Sequence, residues 1–127
     1  MQPKWHFWQY RDDRNCWAFV RAVLIEEFSV PESAIPVWGS ITPKERRAMT
    51  KAYRSMRNEF TQLDKPKSGA IACHFTGRIL THVGVVAGGE VWNVGSAFGM
   101  KKEPINKFAA TCRTEYWIWP PLLSLIK

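Results

Sequence analysis

The spacing of the hydrophobic positions changes about halfway along the chain. In the first half, apolar residues recur every three or four positions, which is the period of one face of a helix. From about residue 70 they fall in short runs rich in β-branched and aromatic residues, separated by glycine-containing turns. Helices followed by antiparallel strands predict an α+β fold. The 127 residues fit a single domain spanning 1–127, with N-terminal helices packed on an antiparallel sheet.

The first predicted helix covers about 13–28 and ends before Pro31. Asp12 or Asp13 can cap its N-terminus. Its apolar positions, at helical spacing, are Trp17, Val20, Leu24 and Phe28.

The second predicted helix covers about 43–61, after a loop at 29–41. The run from Thr42 to Glu45 fits a capping box, with proline at the first helical position. Its apolar stripe consists of Met49, Ala52, Tyr53, Met56 and Phe60.

The second half of the chain predicts a series of strands. We expect strands at 70–75, 78–87, 91–95 and 114–119, with a longer connection over 96–112 and an irregular aromatic arm over 1–12. The pair Gly88-Gly89 predicts a two-residue hairpin turn between the second and third strands.

That turn fixes a register and brings two polar residues together. If Gly88 and Gly89 are the turn residues, Ala87 opposes Glu90, and the same register places His82 and Asn93 on one face of the sheet, diagonal to one another. An Asn carbonyl can fix the tautomer of a His that acts as a base. The alternative is an ordinary polar pair on an exposed face, and a slip of one residue would separate the two.

Cys16 is the candidate nucleophile because it falls in the first turn of the first predicted helix. Unpaired N–H groups and partial positive charge at a helix N-terminus favour the thiolate and can also hold an oxyanion. Arg11 and Arg14 lie close by in sequence. The alternative is that Cys16 is a small buried core residue, as free cysteines often are.

These segments together resemble the NlpC-type, papain-like cell-wall cysteine peptidases. Residues 15–21 (NCWAFVR) resemble the family's nucleophile helix, and residues 81–86 (THVGVV) its histidine-bearing strand. Three further segments match around them: 67–71 (KSGAI), 91–94 (VWNV) and 115–120 (EYWIWP).

The resemblance implies a papain-like fold and a triad of Cys16, His82 and Asn93 that cleaves peptide bonds in bacterial peptidoglycan stems. It also offers Tyr10 as an oxyanion-holding residue. The family usually has Asp before the nucleophile and Ser-Gly after it, where this chain has Asn15, Trp17 and Ala18. We therefore expect Trp17 to reshape the substrate pocket.

Composition and charge leave a second class of function open. The net charge is +7, and the segment from Lys44 to Lys67 holds eight basic and three acidic residues. Such a segment attracts polyanions such as nucleic acid, anionic wall polymers or acidic membranes, or is simply a solvated helix face. A basic nucleic-acid-binding domain, or an inactive structural or phage tail protein of the same fold, is the alternative to a hydrolase.

The cysteines and the N-terminus bear on compartment and delivery. Cys16, Cys73 and Cys112 are an odd number, which argues against a disulfide framework. Cys73 and His74 are adjacent on a strand and lack zinc-site spacing, so we expect no metal and no cofactor. No secretory signal or bilayer-length apolar run is visible. We expect cytoplasmic synthesis and action at the cell wall after delivery by a phage particle or secretion system, with a tail, secretion-system or immunity protein as partner.

Overall fold

The computed structural model describes residues 3–11, 15–35, 46–95 and 98–124. Within them the chain is an α+β domain built on one six-stranded antiparallel sheet, in the order β1-β6-β2-β3-β4-β5. The strands are β1 (Thr61–Leu63), β2 (Ile71–Thr76), β3 (Ile79–Ala87), β4 (Glu90–Gly95), β5 (Gly99–Pro104) and β6 (Arg113–Ile118). The helices are α1 (Cys16–Phe28), α2 (Arg46–Met56) and α3 (Ile105–Ala110), with short 3-10 helices at Pro3–Phe7, Glu32–Ala34 and Pro120–Ser124. The predicted fold class is thus confirmed at the level of an antiparallel α+β domain.

Helix α1 begins at Cys16 and is capped by the residue before it. The Asn15 side chain accepts a hydrogen bond from the Ala18 backbone N–H over 3.1 Å, which satisfies one of the unpaired donors of the first turn. The cap contact therefore comes from Asn15, whereas Asp12 and Asp13 lie outside the described residues. Ser29, in the left-handed region at φ 57°, ends the helix.

Helix α2 is shorter than predicted, because it ends at Met56. The N–H groups of Glu59 and Phe60 both donate to the Met56 carbonyl, which closes a turn at the end of the helix. Strand β1 begins directly after this turn. Phe60 is buried, so the apolar stripe continues past the helix end although the helix does not. The predicted capping box at 42–45 lies outside the described residues.

The predicted connection over 96–112 was wrong, because it contains β5 and α3. Strand β5 lies at the edge of the sheet, and the charged residues Lys101, Lys102 and Glu103 occupy its centre. A half-exposed edge strand needs no alternation of apolar residues, so hydrophobic periodicity could not reveal it.

The hydrophobic core lies between the sheet and the two N-terminal helices. Helix α1 packs on β3 and β4, and α2 packs on β3. Four tryptophans, Trp5, Trp17, Trp92 and Trp117, are buried in this core. They fill the interior, as a tryptophan-rich chain most often requires. None of the described helices is both long enough and apolar enough to cross a membrane.

Candidate functional site

The β3–β4 hairpin has the register that the glycine turn predicts. Val85 pairs with Trp92, and Ala87 pairs with Glu90 on either side of Gly88 and Gly89, both of which have positive φ. Glycine adopts positive φ at no steric cost, so the two glycines favour this two-residue turn and with it the register.

His82 and Asn93 are in direct contact across this hairpin. His82 Nε2 lies 3.0 Å from Asn93 Oδ1. An amide oxygen can only accept, so Nε2 carries the hydrogen and donates it. The neutral imidazole then keeps its lone pair at Nδ1, where it is available to take a proton. The prediction that Asn93 fixes the tautomer of His82 agrees with this geometry.

Asn93 is itself held in place from its other end. Its Nδ2 lies 3.3 Å from Glu103 Oε1 and 3.4 Å from the Val91 carbonyl oxygen. Both of these partners only accept, which fixes the orientation of the amide and leaves Oδ1 to face His82. Glu103 also forms an ion pair with Lys101 at 3.6 Å. Glu103 was not predicted as a site residue, because its contact with Asn93 depends on strand β5.

A second histidine lies beside His82. His74 on β2 pairs directly with His82 on β3, and their ring centroids are 6.0 Å apart. Phe108 of α3 stacks on His74 with a centroid separation of 3.7 Å, and its carbonyl oxygen accepts a hydrogen bond of 2.6 Å from His74 Nε2. Phe108 thereby covers both imidazoles, since its ring also lies 6.0 Å from that of His82.

Burial keeps both imidazoles neutral at neutral pH. Burial lowers the pKa of His82 below its usual 6.5, the hydrogen bond that His82 donates to Asn93 offsets part of this, and the charge of His74 lowers it further. The pKa of His74 is lowered in the same way by burial, against the bond to the Phe108 carbonyl. His82 is therefore in its base form at pH 7.

Cys16 occupies the first helical position of α1 and is 3% exposed. Its helix packs on β3 and β4, the two strands that carry His82 and Asn93. The pKa of the Cys73 thiol is raised, first by burial and then by the charges of Glu115 and Cys16. Cys16 is therefore close enough to Cys73 for their charges to interact.

The structure brings two of the three predicted triad residues into contact. Cys73 pairs with Val83, one position along from the pairing of His74 with His82, so the Cys73 side chain projects from the opposite face of the sheet. The hydrogen-bond and ring contacts described for His82 are those with Asn93, His74 and Phe108. The pairing of the Cys16 thiol with His82 stays a prediction.

The two remaining predicted site residues differ in burial. Trp17 is 1% exposed and belongs to the core, so a substrate would touch it only after its neighbours moved. Tyr10 is half-buried and packs against the same core. Its assignment to an oxyanion site stays a prediction.

Metal ligands, cysteines and comparisons with known proteins were the remaining sources of information about function. Across 3–11, 15–35, 46–95 and 98–124, no group of three or more His, Cys, Asp or Glu side chains is placed to hold a metal ion. All three cysteines are free, and Cys112 is partly exposed. No family model matches the chain, and no curated protein is significantly similar to it.

Proposed function

We propose that the chain is a cysteine hydrolase of amide bonds, with Cys16 as nucleophile, His82 as general base and Asn93 as the residue that orients His82. The observation that supports it most is the hydrogen bond between His82 Nε2 and Asn93 Oδ1, which leaves a basic Nδ1 on a half-buried imidazole. A neutral histidine of this kind is what proton abstraction from a thiol requires.

The reaction would proceed through an acyl-enzyme. His82 Nδ1 takes the thiol proton while Cys16 Sγ attacks the amide carbonyl, and the resulting oxyanion faces the N–H groups of the first turn of α1. The protonated imidazole gives its proton to the leaving amine as the C–N bond breaks. Water then attacks the thioester, His82 accepts a proton from it, and the carboxylic acid and the free thiol are released.

The substrate class rests on the resemblance to NlpC-type peptidases. We propose peptidoglycan stem peptides, reached after delivery by a phage particle or a secretion system, with a tail or immunity protein as the partner. His82 either takes the thiol proton as Cys16 attacks or holds the pair as thiolate and imidazolium before substrate arrives.

Incubation with defined muropeptides, followed by mass spectrometry of the products, tests the proposal. The native chain should release two fragments whose masses sum to that of the substrate plus one water. Cys16→Ala should abolish this release, whereas Cys112→Ala, which removes a partly exposed thiol elsewhere, should retain it. Equal turnover by the native chain and Cys16→Ala would exclude a thiol mechanism.

A further inference from the structure

Four arginines converge on one small pocket on the side of the sheet where α2 packs. The pocket has a volume of about 150 Å³ and lies between α2, the β2–β3 turn and the start of β6. Arg54 and Arg57 come from α2, Arg78 from the turn and Arg113 from β6; Tyr53, Phe75 and Glu115 complete the lining. Two of these arginines lie outside the basic segment of the sequence.

The Glu115 carboxylate in this pocket already accepts hydrogen bonds from three side chains. Glu115 accepts hydrogen bonds from the Tyr53 hydroxyl, from Trp117 Nε1 and from Arg113. Burial opposes its charge, but these three donors outweigh that effect and hold the pKa of Glu115 below its usual value. Glu115 is therefore an ionised carboxylate whose charge Arg113 balances.

The other three guanidinium groups, those of Arg54, Arg57 and Arg78, form no ion pair with a carboxylate in the part of the chain that the structure describes. With Arg113 balanced by Glu115, the pocket keeps three positive charges. Positive charge lining a concave, low-dielectric surface focuses the field and concentrates anions there.

The guanidinium groups are also partly preorganised. Arg57 lies over the Tyr53 ring at 5.5 Å, and Arg113 lies over the Phe75 ring at 4.3 Å, with a second bond of 3.1 Å to the Gly77 carbonyl. Arg113 already donates to Glu115 and to Gly77, whereas stacking on Tyr53 orients the Arg57 guanidinium and leaves its N–H edge to bind an anion.

We propose that this pocket binds a phosphoryl group, either as free phosphate or as a terminal phosphomonoester. Its tetrahedral oxygens can meet guanidinium groups that approach from α2 and from the β2–β3 turn, whereas a planar carboxylate offers two oxygens and a single charge. The pocket volume of about 150 Å³ leaves room for a small anion and its waters.

Calorimetric titration of the full chain with inorganic phosphate at low ionic strength tests this site. We expect saturable binding with one site per chain. Arg57→Gln combined with Arg78→Gln should raise the dissociation constant for phosphate at least about tenfold, because hydrogen bonds to a charged group contribute strongly to the binding free energy. The matched control is Lys65→Gln with Lys67→Gln, which removes the same charge from exposed positions outside the pocket and should change binding less than about twofold.

Titrations with other ligands distinguish free phosphate from a phosphomonoester. Glucose 6-phosphate binding as well as phosphate would indicate a monoester, and tighter binding of phosphate would indicate the free ion. The site is overturned by equal weakening in the arginine and lysine pairs, by acetate binding as tightly as phosphate, or by no saturation. It is also overturned if an oligonucleotide without terminal phosphate binds and phosphate does not compete. Arg54→Gln alone, an exposed change on α2, should weaken phosphate binding even if the double variant fails to fold.

Discussion

Glu103 on β5 accepts a hydrogen bond from Asn93 on β4, and so fixes the amide that in turn holds His82. Asn93 is 1% exposed, so a wrong orientation of its amide could not be corrected by water. The site is therefore a chain of hydrogen bonds through three side chains, from the partly exposed Glu103 carboxylate to the half-buried imidazole of His82.

Removal of the Glu103 carboxylate should leave the Asn93 amide, and with it the His82 imidazole, less firmly oriented. Glu103→Ala should lower kcat/KM for muropeptide cleavage about two- to tenfold, the value of one hydrogen bond, with little change in KM. Glu103→Gln can still accept from Asn93 and should recover most of the activity. Glu59→Ala removes an exposed carboxylate outside the site and serves as control. Activity in Glu103→Ala equal to that of the native chain would show that Glu103 does not position Asn93.

The low pKa of His82 sets the acid limit of activity. A base with a folded-state pKa below 6.5 is unprotonated at pH 7, and activity is lost as the pH falls through that lowered value. The acid limb of kcat/KM should therefore have its midpoint below pH 6.5. His74→Gln removes a charge that lowers this pKa, so the midpoint should move up. A midpoint above pH 6.5 in the native chain would contradict the assignment.

The same two histidines should make the fold sensitive to acid. Both pKa values are lower in the folded state than the ordinary 6.5, so the unfolded chain binds more protons and stability falls as the pH drops below about 6.5. Urea unfolding at pH 7.5 and at pH 5.5 should give a smaller free energy of unfolding at the lower pH. His74→Gln should reduce that difference, and an unchanged difference would mean that His74 is not buried as described.

Gly84 allows β3 and β4 to approach closely beside the site. A Cβ at this position would lie 2.5 Å from Val91 Cγ1 and 3.0 Å from the Trp92 carbonyl oxygen. Gly84→Ala should therefore lower the free energy of unfolding by about 1–3 kcal/mol, as measured by urea denaturation. The double variant with Val91→Ala removes the nearer contact and should recover part of the loss. Full additivity of the two changes would show that the clash is not with Val91.

Part of this site could be predicted from the sequence because a local turn determines it. Gly88 and Gly89 specify a two-residue hairpin, and the hairpin specifies which residues of β3 and β4 share a face. The contact between His82 and Asn93 follows from that register alone. The place of Cys16 in the first turn of α1 likewise followed from local sequence, namely the apolar spacing and the capping residue expected at Asp12 or Asp13.

The other parts of the site depend on contacts that no short pattern encodes. His74 reaches His82 through the pairing of β2 with β3, where a bulge makes Phe75 oppose Leu80 and leaves Thr81 unpaired. Phe108 covers the imidazoles only because the predicted connection over 96–112 folds into α3. Glu103 reaches Asn93 through a charged edge strand that hydrophobic periodicity could not detect.

The central claim is that His82 activates the Cys16 thiol, and alkylation by iodoacetamide tests it most directly. Peptide mapping by mass spectrometry measures Cys16 and Cys112 separately in one sample, so the partly exposed Cys112 is an internal standard. At pH 7 we predict that Cys16 reacts faster than Cys112, and that His82→Ala slows Cys16 at least about tenfold while Cys112 is unchanged, because the thiolate is the reactive form. If Cys16 stays unmodified while Cys112 reacts, or if His82→Ala leaves its rate unchanged, the hydrolase account is contradicted.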